Sequence, residues 1–476
     1  MTAALRLAHH AEAEADRIVS TLFDWLRIPS ISAHPERADA VRESAAFCAR
    51  LLEEAGLEHV SLLEPPAADD QVAGAVPAAP AVYGDWLHAG PDAPTVLVYG
   101  HHDVQPVDPI ELWTSPPFSP LIVEGECRAR GSADDKGQVL YQIEAARGLL
   151  AADGRLPVNL KFVIEGEEEI GSPHFEALLA AESERLACDV IVVSDTGMLA
   201  PDVPSITVGM RGLVGFDVDV VTSTTDLHSG EFGGTVPNAA RVAEELVAAL
   251  HDADGKVTLP RFYDRVRPLS SAEKESLAAQ PFDKAVYMGY AGVRSLVGEA
   301  GFSPIERTTV RPTAEVVGLH SGYDGPGMKT IVPATANFKV AFRLVPDQRP
   351  GEVASAFRDW LASHVPSGVA VTVTPEGAVA PALTPVDHPA MGALVRAIER
   401  VWGTSPLFTR AGGSGPEEAL GRVLSAPVLF LGVSLPDDRY HAPNERLVMS
   451  QFWKGLLAAG ELLAELGCQP ALASGA

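Results

Sequence analysis

The chain has 476 residues, 46% of them hydrophobic, and a formal net charge of -27 at pH 7. That length fits one or two domains with a sizeable core. The negative balance argues against binding nucleic acid, whose phosphates call for Lys and Arg, and reads as a solvated acidic surface; no run approaches the roughly 20 apolar residues of a membrane span.

Met1 to Pro29 lacks a basic head followed by a continuous apolar block, so it is not read as a signal peptide. Ile18, Leu22, Trp25 and Leu26 fall at helical spacing and predict an amphipathic helix. Cytoplasmic location is the expectation. Cys48, Cys127, Cys188 and Cys468 form no C-x-x-C pair and read as reduced, mostly buried thiols. Glu64 to Ala81, rich in Pro and Ala, reads as a surface loop.

Short apolar runs then alternate with helical patterns, which predicts an α/β architecture. Thr95 to Tyr99 leads into Gly100-His101, Leu160 to Ile164 into Glu165-Gly166, Val190 to Val193 into Ser194-Asp195, and Val428 to Leu431 through Gly432 towards His441. Each run is short and rich in β-branched or aromatic residues, as a buried strand is. In open α/β sheets, sites form beyond the carboxyl ends of strands, so these polar residues can converge although they are far apart in sequence.

The middle of the chain has another texture. Phe216, Val218 and Val220 alternate with Asp217 and Asp219, a half-exposed strand; Pro237-Asn238 opens a helix carrying Val242, Leu246 and Leu250; Ala336 to Val345 is a further amphipathic strand. Residues 208–382 therefore read as an inserted α+β domain between 1–207 and 383–476, with Gly377 to Pro385 as a hinge. Met391, Leu394, Val395 and Ile398 mark a helix, and Ser450 to Leu466 a final one.

Five motifs carry the chemistry. In Gly100-His101-His102-Asp103, an imidazole after a strand suits a metal, with a carboxylate behind it to fix its tautomer; a solvated loop histidine is the structural alternative. His102 reads as pointing elsewhere. In Arg130 to Gly137, one of two adjacent carboxylates, Asp134 or Asp135, can bridge two cations, or the pair caps the next helix. In Glu165 to Ser172, a cluster of acids after an apolar strand is costly without a nearby cation, unless it is the acidic start of a helix. One Glu there can ligate metal while its neighbour handles protons. Ser194-Asp195-Thr196 and Tyr440 to Glu445 add a carboxylate and a second imidazole, though a lone Asp at a strand end is commonly a cap. A His and carboxylate set without Cys suits Zn²⁺, Mn²⁺ or Co²⁺.

The ordered set from Gly100 to Val107, Arg130 to Gly137, Glu165 to Ser172, Ser194 to Thr196 and His441 to Glu445, with Asp226 to Gly230 and Phe342 to Pro346, resembles the M20 metallopeptidases, and most of all their cytosolic non-specific dipeptidase and carnosinase branch. The resemblance spans nearly the whole chain. It implies a catalytic domain with a central mixed sheet flanked by helices, plus an inserted α+β lid and dimerisation domain. It implies two divalent ions per subunit, Zn²⁺ first and Mn²⁺ or Co²⁺ as alternatives. His101 and Asp195 would hold one, Glu169 and His441 the other, and Asp134 would bridge them with a cis peptide to Asp135. Asp103 would orient His101, and Glu168 would act as general base and then acid. His228 would serve the active site of the other subunit of a homodimer, and Arg343, helped by Ser414, would bind the substrate's terminal carboxylate. The implied activity is hydrolysis of dipeptides with a free C-terminal carboxylate. An N-acyl-amino-acid amidohydrolase, a metallocarboxypeptidase and a non-catalytic metal-binding scaffold are the alternatives. The chain departs from the family at Ala411, where related dipeptidases often carry Glu, and at His102, where an apolar or aromatic residue is common.

Overall fold

The structure is a computed structural model that describes residues 2–66 and 77–469; most of the loop expected over Glu64 to Ala81 lies outside them. The chain divides into two compact units. The first comprises residues 1–208, 384–409 and 415–476, the second residues 209–383 and 410–414.

The first unit is built on a six-stranded mixed sheet, in the order Glu58–Leu63, Ala81–Trp86, Asn159–Glu165, Thr95–His101, Val190–Val193, Val428–Phe430. The last four strands run parallel, and the first two join antiparallel. Every residue of Asn159–Glu165 is buried, as expected where helices cover both faces of a sheet and leave no polar side. Register does the positioning. His101 lies opposite Glu165, and Tyr99 opposite both Val163 and Val193, so the parallel strands end level and release their following residues at one edge.

The helix Lys136–Asp153 is buried on all sides from Lys136 to Ala146. Helices Ala3–Leu26 and Met449–Gly467 pack with it, and Pro389–Trp402 packs against Met449–Gly467. A small antiparallel sheet joins Arg446–Val448 to Glu126–Arg128, with Arg446 opposite Arg128, and so brings Glu445 beside the loop that follows Arg128. Cys48 and Cys127 are buried and Cys188 is half-buried, but Cys468 is exposed; all four are free.

The second unit is an antiparallel sheet in the order Thr313–Ser321, Thr335–Leu344, Gly212–Val221, Ala370–Val379. Phe216, Val218, Phe338, Val340 and Phe342 face helices Ala239–Ala249 and Pro350–His364 to form one core. Asp217, Asp219, Asn337 and Lys339 bond to one another on the opposite face. Asn238 caps its helix by accepting from the Arg241 N–H. The expected hinge is mostly strand: Ala370–Val379 runs through Gly377, and Ala382–Leu383 pairs with Met210 and Gly209. Residues 410–414 join this unit although they are distant in sequence, because Arg410 pairs with Glu273 and the Ser414 hydroxyl donates to the Arg211 carbonyl.

The Phe357 ring lies 4.8 Å from that of Phe216 and 5.3 Å from that of Phe342, and the side chain is fully buried. Phe357→Ala is expected to cost about 3–5 kcal/mol, read as a lower urea midpoint for the unfolding of this unit.

Candidate metal centre

The level strand ends bring together three of the five expected motifs; the loop between Glu126–Arg128 and the helix Lys136–Asp153 brings Asp134, and a loop from the last strand brings the fifth. His101 closes its strand buried, and its Nε2 lies 2.9 Å from Asp134 Oδ1 and 3.7 Å from Asp195 Oδ2. His441 Nε2 lies 2.9 Å from the other oxygen, Asp134 Oδ2, and 3.1 Å from Glu169 Oε2. Each oxygen of Asp134 thus faces a different imidazole, the arrangement a bridging carboxylate requires. The Asp134–Asp135 peptide is cis, as the resemblance implies. Ligand atoms of His101, Glu168 and Asp195 lie within 4.8 Å of one another, as do those of His101, Asp134 and Glu169.

The electrostatics describe a site short of positive charge. Burial, then the Asp134 charge, pushes Glu169 up to about 7 and Asp195 up to about 6. Burial also holds Glu168 well above the usual carboxylate range, against the opposing pull of His101. Asp134 is held low because hydrogen bonds from His101 and His441 outweigh its burial. Bonds to Asp134 and Glu169 raise His441 to about 10; for His101, bonds to Asp103 and Asp134 overcome a burial that acts the other way. The two imidazoles are the nearest cations, and as metal ligands they must be neutral. Two divalent ions would satisfy this donor set. His nitrogens and carboxylate oxygens without sulfur suit Zn²⁺, Mn²⁺ or Co²⁺.

Behind the carboxylates stands a layer of fixed donors. Asp103 Oδ1 lies 3.3 Å from His101 Nδ1, which also faces the Asp103 carbonyl at 3.1 Å; its Oδ2 accepts from the Glu169 N–H at 3.1 Å. The Gln105 backbone and side-chain amides donate to the two oxygens of Glu169 at 3.1 and 2.8 Å. Asp135 accepts from the His101 N–H at 3.3 Å. It lies so close that a Cβ on Gly100 would sit 2.6 Å from its Oδ2, so only glycine fits at position 100. His102 turns away: burial lowers it to about 4, its Nε2 bonds the Pro80 carbonyl at 3.0 Å, and its ring fills the space beside Gly166.

Two supporting residues carried no role in the sequence reading. Glu445 accepts from the backbone N–H groups of Gly131, Ala133 and Asp134 at 3.0, 2.9 and 3.1 Å, and from Arg130 at 2.8 Å, so it moulds the loop that presents Asp134. The buried Lys136 donates to the carbonyls of Trp25 and Ile28, fastening that loop to the end of the first helix. Their signal was position alone, since both lie within quoted motifs.

The remaining predicted residues belong to the second unit. Exposed His228 pairs with Ile331 and accepts from the Gly230 N–H at 3.0 Å. Arg343 donates to the Ser414 hydroxyl at 3.0 Å.

Comparison with known proteins follows the same lines. The profile of peptidase family M20/M25/M40 matches residues 97–465. The chain is 29% identical to the mouse Beta-Ala-His dipeptidase over 474 residues, covering 98% of this chain and 96% of that protein. It is 30% identical to the Cys-Gly metallodipeptidase dug1 of Schizosaccharomyces pombe, covering 93% and 94%. The crystal structure of the M20 family metallo-carboxypeptidase Sso-CP2 from Sulfolobus solfataricus superposes with a TM-score of 0.81 at 29% identity, covering 95% and 99%.

Glu445→Gln removes the charge that gathers the loop donors, and metal affinity is expected to fall about 10–100-fold, measured by competition with a chelator. Metal retention should also fall as the pH drops from about 8 to about 5.5, because protons then occupy Glu169 and Asp195, raised to about 7 and about 6, in competition with a cation; dialysis and metal analysis across that range check it.

Proposed function

The chain belongs to peptidase family M20/M25/M40, and we propose that it is a dinuclear metal-dependent dipeptidase acting on dipeptides with a free C-terminal carboxylate. The observation that carries this reading is Asp134, whose two oxygens each face a different imidazole while Glu169 and Asp195 stand alongside. His101 and Asp195 would hold one ion, His441 and Glu169 the other, with Asp134 shared and Zn²⁺ the first candidate. Bound there, the ions would lower the pKa of a water molecule and polarise the scissile carbonyl.

The chain's own groups do the rest. Glu168 takes a proton from the attacking water and hands it to the amine as the C–N bond breaks, leaving two amino acids. Its burial beside Asp195 and Glu169 favours a carboxyl that passes protons. Asp103 keeps His101 in position, and Arg343 with Ser414 receives the substrate's C-terminal carboxylate. The second unit is read as the lid and dimerisation domain. Its edge strand Thr313–Ser321 leaves Val317 66% and Leu319 48% exposed, a face suited to a second copy of this chain. His228 would act across that dimer on the partner's substrate carbonyl. The four free cysteines suit the cytoplasm.

The similarity to a metallo-carboxypeptidase favours one second reading, in which the same centre trims longer peptides. A panel of dipeptides including β-Ala-His and Cys-Gly, longer peptides and N-acetyl amino acids decides between them, run with added Zn²⁺, Mn²⁺ or Co²⁺ after chelation. Dipeptides alone should be cleaved; efficient cleavage of longer peptides would favour the carboxypeptidase. Glu168→Gln should keep its metals by elemental analysis yet lose about 10²–10⁴-fold in kcat, and full activity in that variant would remove Glu168 from its role. Sedimentation should give a dimer that Val317→Lys weakens.

A further inference from the structure

The second unit holds a charge imbalance opposite in sign to that of the metal centre. Arg343 alternates with the core residues Phe342 and Leu344 and so projects from the polar face of its sheet. Arg211, one residue before the neighbouring strand Gly212–Val221, lies close enough for the two guanidinium charges to repel. Arg211 Nε donates to the Gly412 carbonyl at 3.1 Å, and its own carbonyl accepts from the Ser414 hydroxyl, which in turn accepts from Arg343. Both arginines are thereby held to one loop. Arg211 Nη1 is buried and has no hydrogen-bond partner.

Among the described residues, no carboxylate lies within ion-pair distance of either guanidinium. The acid that acts on Arg211 is Glu315, exposed on the edge strand and beyond that distance. Burial, then the charge of Arg343, brings Arg211 down to about 10. Two like charges and a buried, unpaired N–H are costly together unless an anion joins them. A guanidinium fork fits a carboxylate. One α-carboxylate neutralises one guanidinium and leaves the other unpaired. A second carboxylate on the same residue would neutralise both.

We propose that Arg211 and Arg343 form one dicarboxylate site, and that the enzyme prefers dipeptides whose C-terminal residue is glutamate or aspartate. The site itself rests on the geometry around Ser414; the word dipeptide rests on the function proposed above. Arg211 is then a specificity-determining residue.

The test compares kcat/KM for Ala-Glu and its uncharged isostere Ala-Gln in the metal-loaded wild type, Arg211→Met and Arg211→Lys. Ala-Glu should be favoured by at least about tenfold in the wild type, and the ratio should fall to within about twofold in Arg211→Met, with Arg211→Lys between them. Losing the bond to Gly412 would slow both substrates alike, so the ratio is the readout. A wild-type ratio near one, or a ratio that Arg211→Met leaves unaltered, overturns the proposal. Calorimetric binding of free L-glutamate and L-glutamine to the same proteins gives a readout without turnover: glutamate should bind more tightly to the wild type, and Arg211→Met should erase the difference. If no dipeptide is cleaved, the dipeptidase reading fails, and the glutamate–glutamine contrast still decides the anion site. Thermal melting checks folding; should Arg211→Met be unstable, Arg211→Lys carries the decision.

Discussion

Buried negative charge beyond the carboxyl ends of the parallel strands is the constraint around which the first unit is organised. Asp134, Glu168, Glu169 and Asp195 meet there, and among the described residues the imidazoles of His101 and His441 lie against them. A cluster of this kind is unfavourable unless positive charge is brought in, and much of the surrounding structure holds the carboxylates ready for it. Gln105 and Asp103 fix Glu169 and its backbone. Glu445 gathers the N–H groups around Asp134, and Lys136 ties the same loop to the first helix. None of these residues needs to touch a metal to matter, because a ligand that can swing away binds weakly however well its chemistry suits the ion.

The second unit works with simpler means. A two-faced antiparallel sheet buries aromatic side chains on one face and keeps its charges on the other. That division sends Arg343 to the open face by parity alone, without any special turn. The segment 410–414 then returns to this sheet and sets Ser414 between two arginines. One unit thus gathers carboxylates around two imidazoles, and the other holds two arginines to one loop.

Much of this was legible in the sequence. Four apolar runs each followed by an acid or a histidine identified the strand ends, and period-two alternation identified the second sheet. What the residues alone left open was which acid of each cluster faces the centre, and what turns His102 away from it. His101 and His102 are chemically the same, and the choice depends on where the strand ends and on Pro80, which accepts the His102 ring from a loop far away in sequence. Asp134 and Asp135 differ likewise only through the backbone, with one turned to the imidazoles and the other beneath His101. Glu445 and Arg211 were not singled out, because their hydrogen bonds to the backbone of distant loops are announced by no spacing. Gly377 to Pro385 read as a hinge on composition, yet pairing with residues 209–214 makes most of it strand.

The level register of the parallel strands has a consequence for how such a gene can vary. Side chains alternate along a strand, so gaining or losing one codon within Thr95–His101 or Asn159–Glu165 would send every later residue of that strand to the other face. It would also set His101 and Glu165 out of step. Length changes in the connecting helices and loops carry no such penalty, since they leave the strand ends where they were. Insertions and deletions among natural variants should therefore gather in the connections and spare these short runs, whatever the rate of point substitution there.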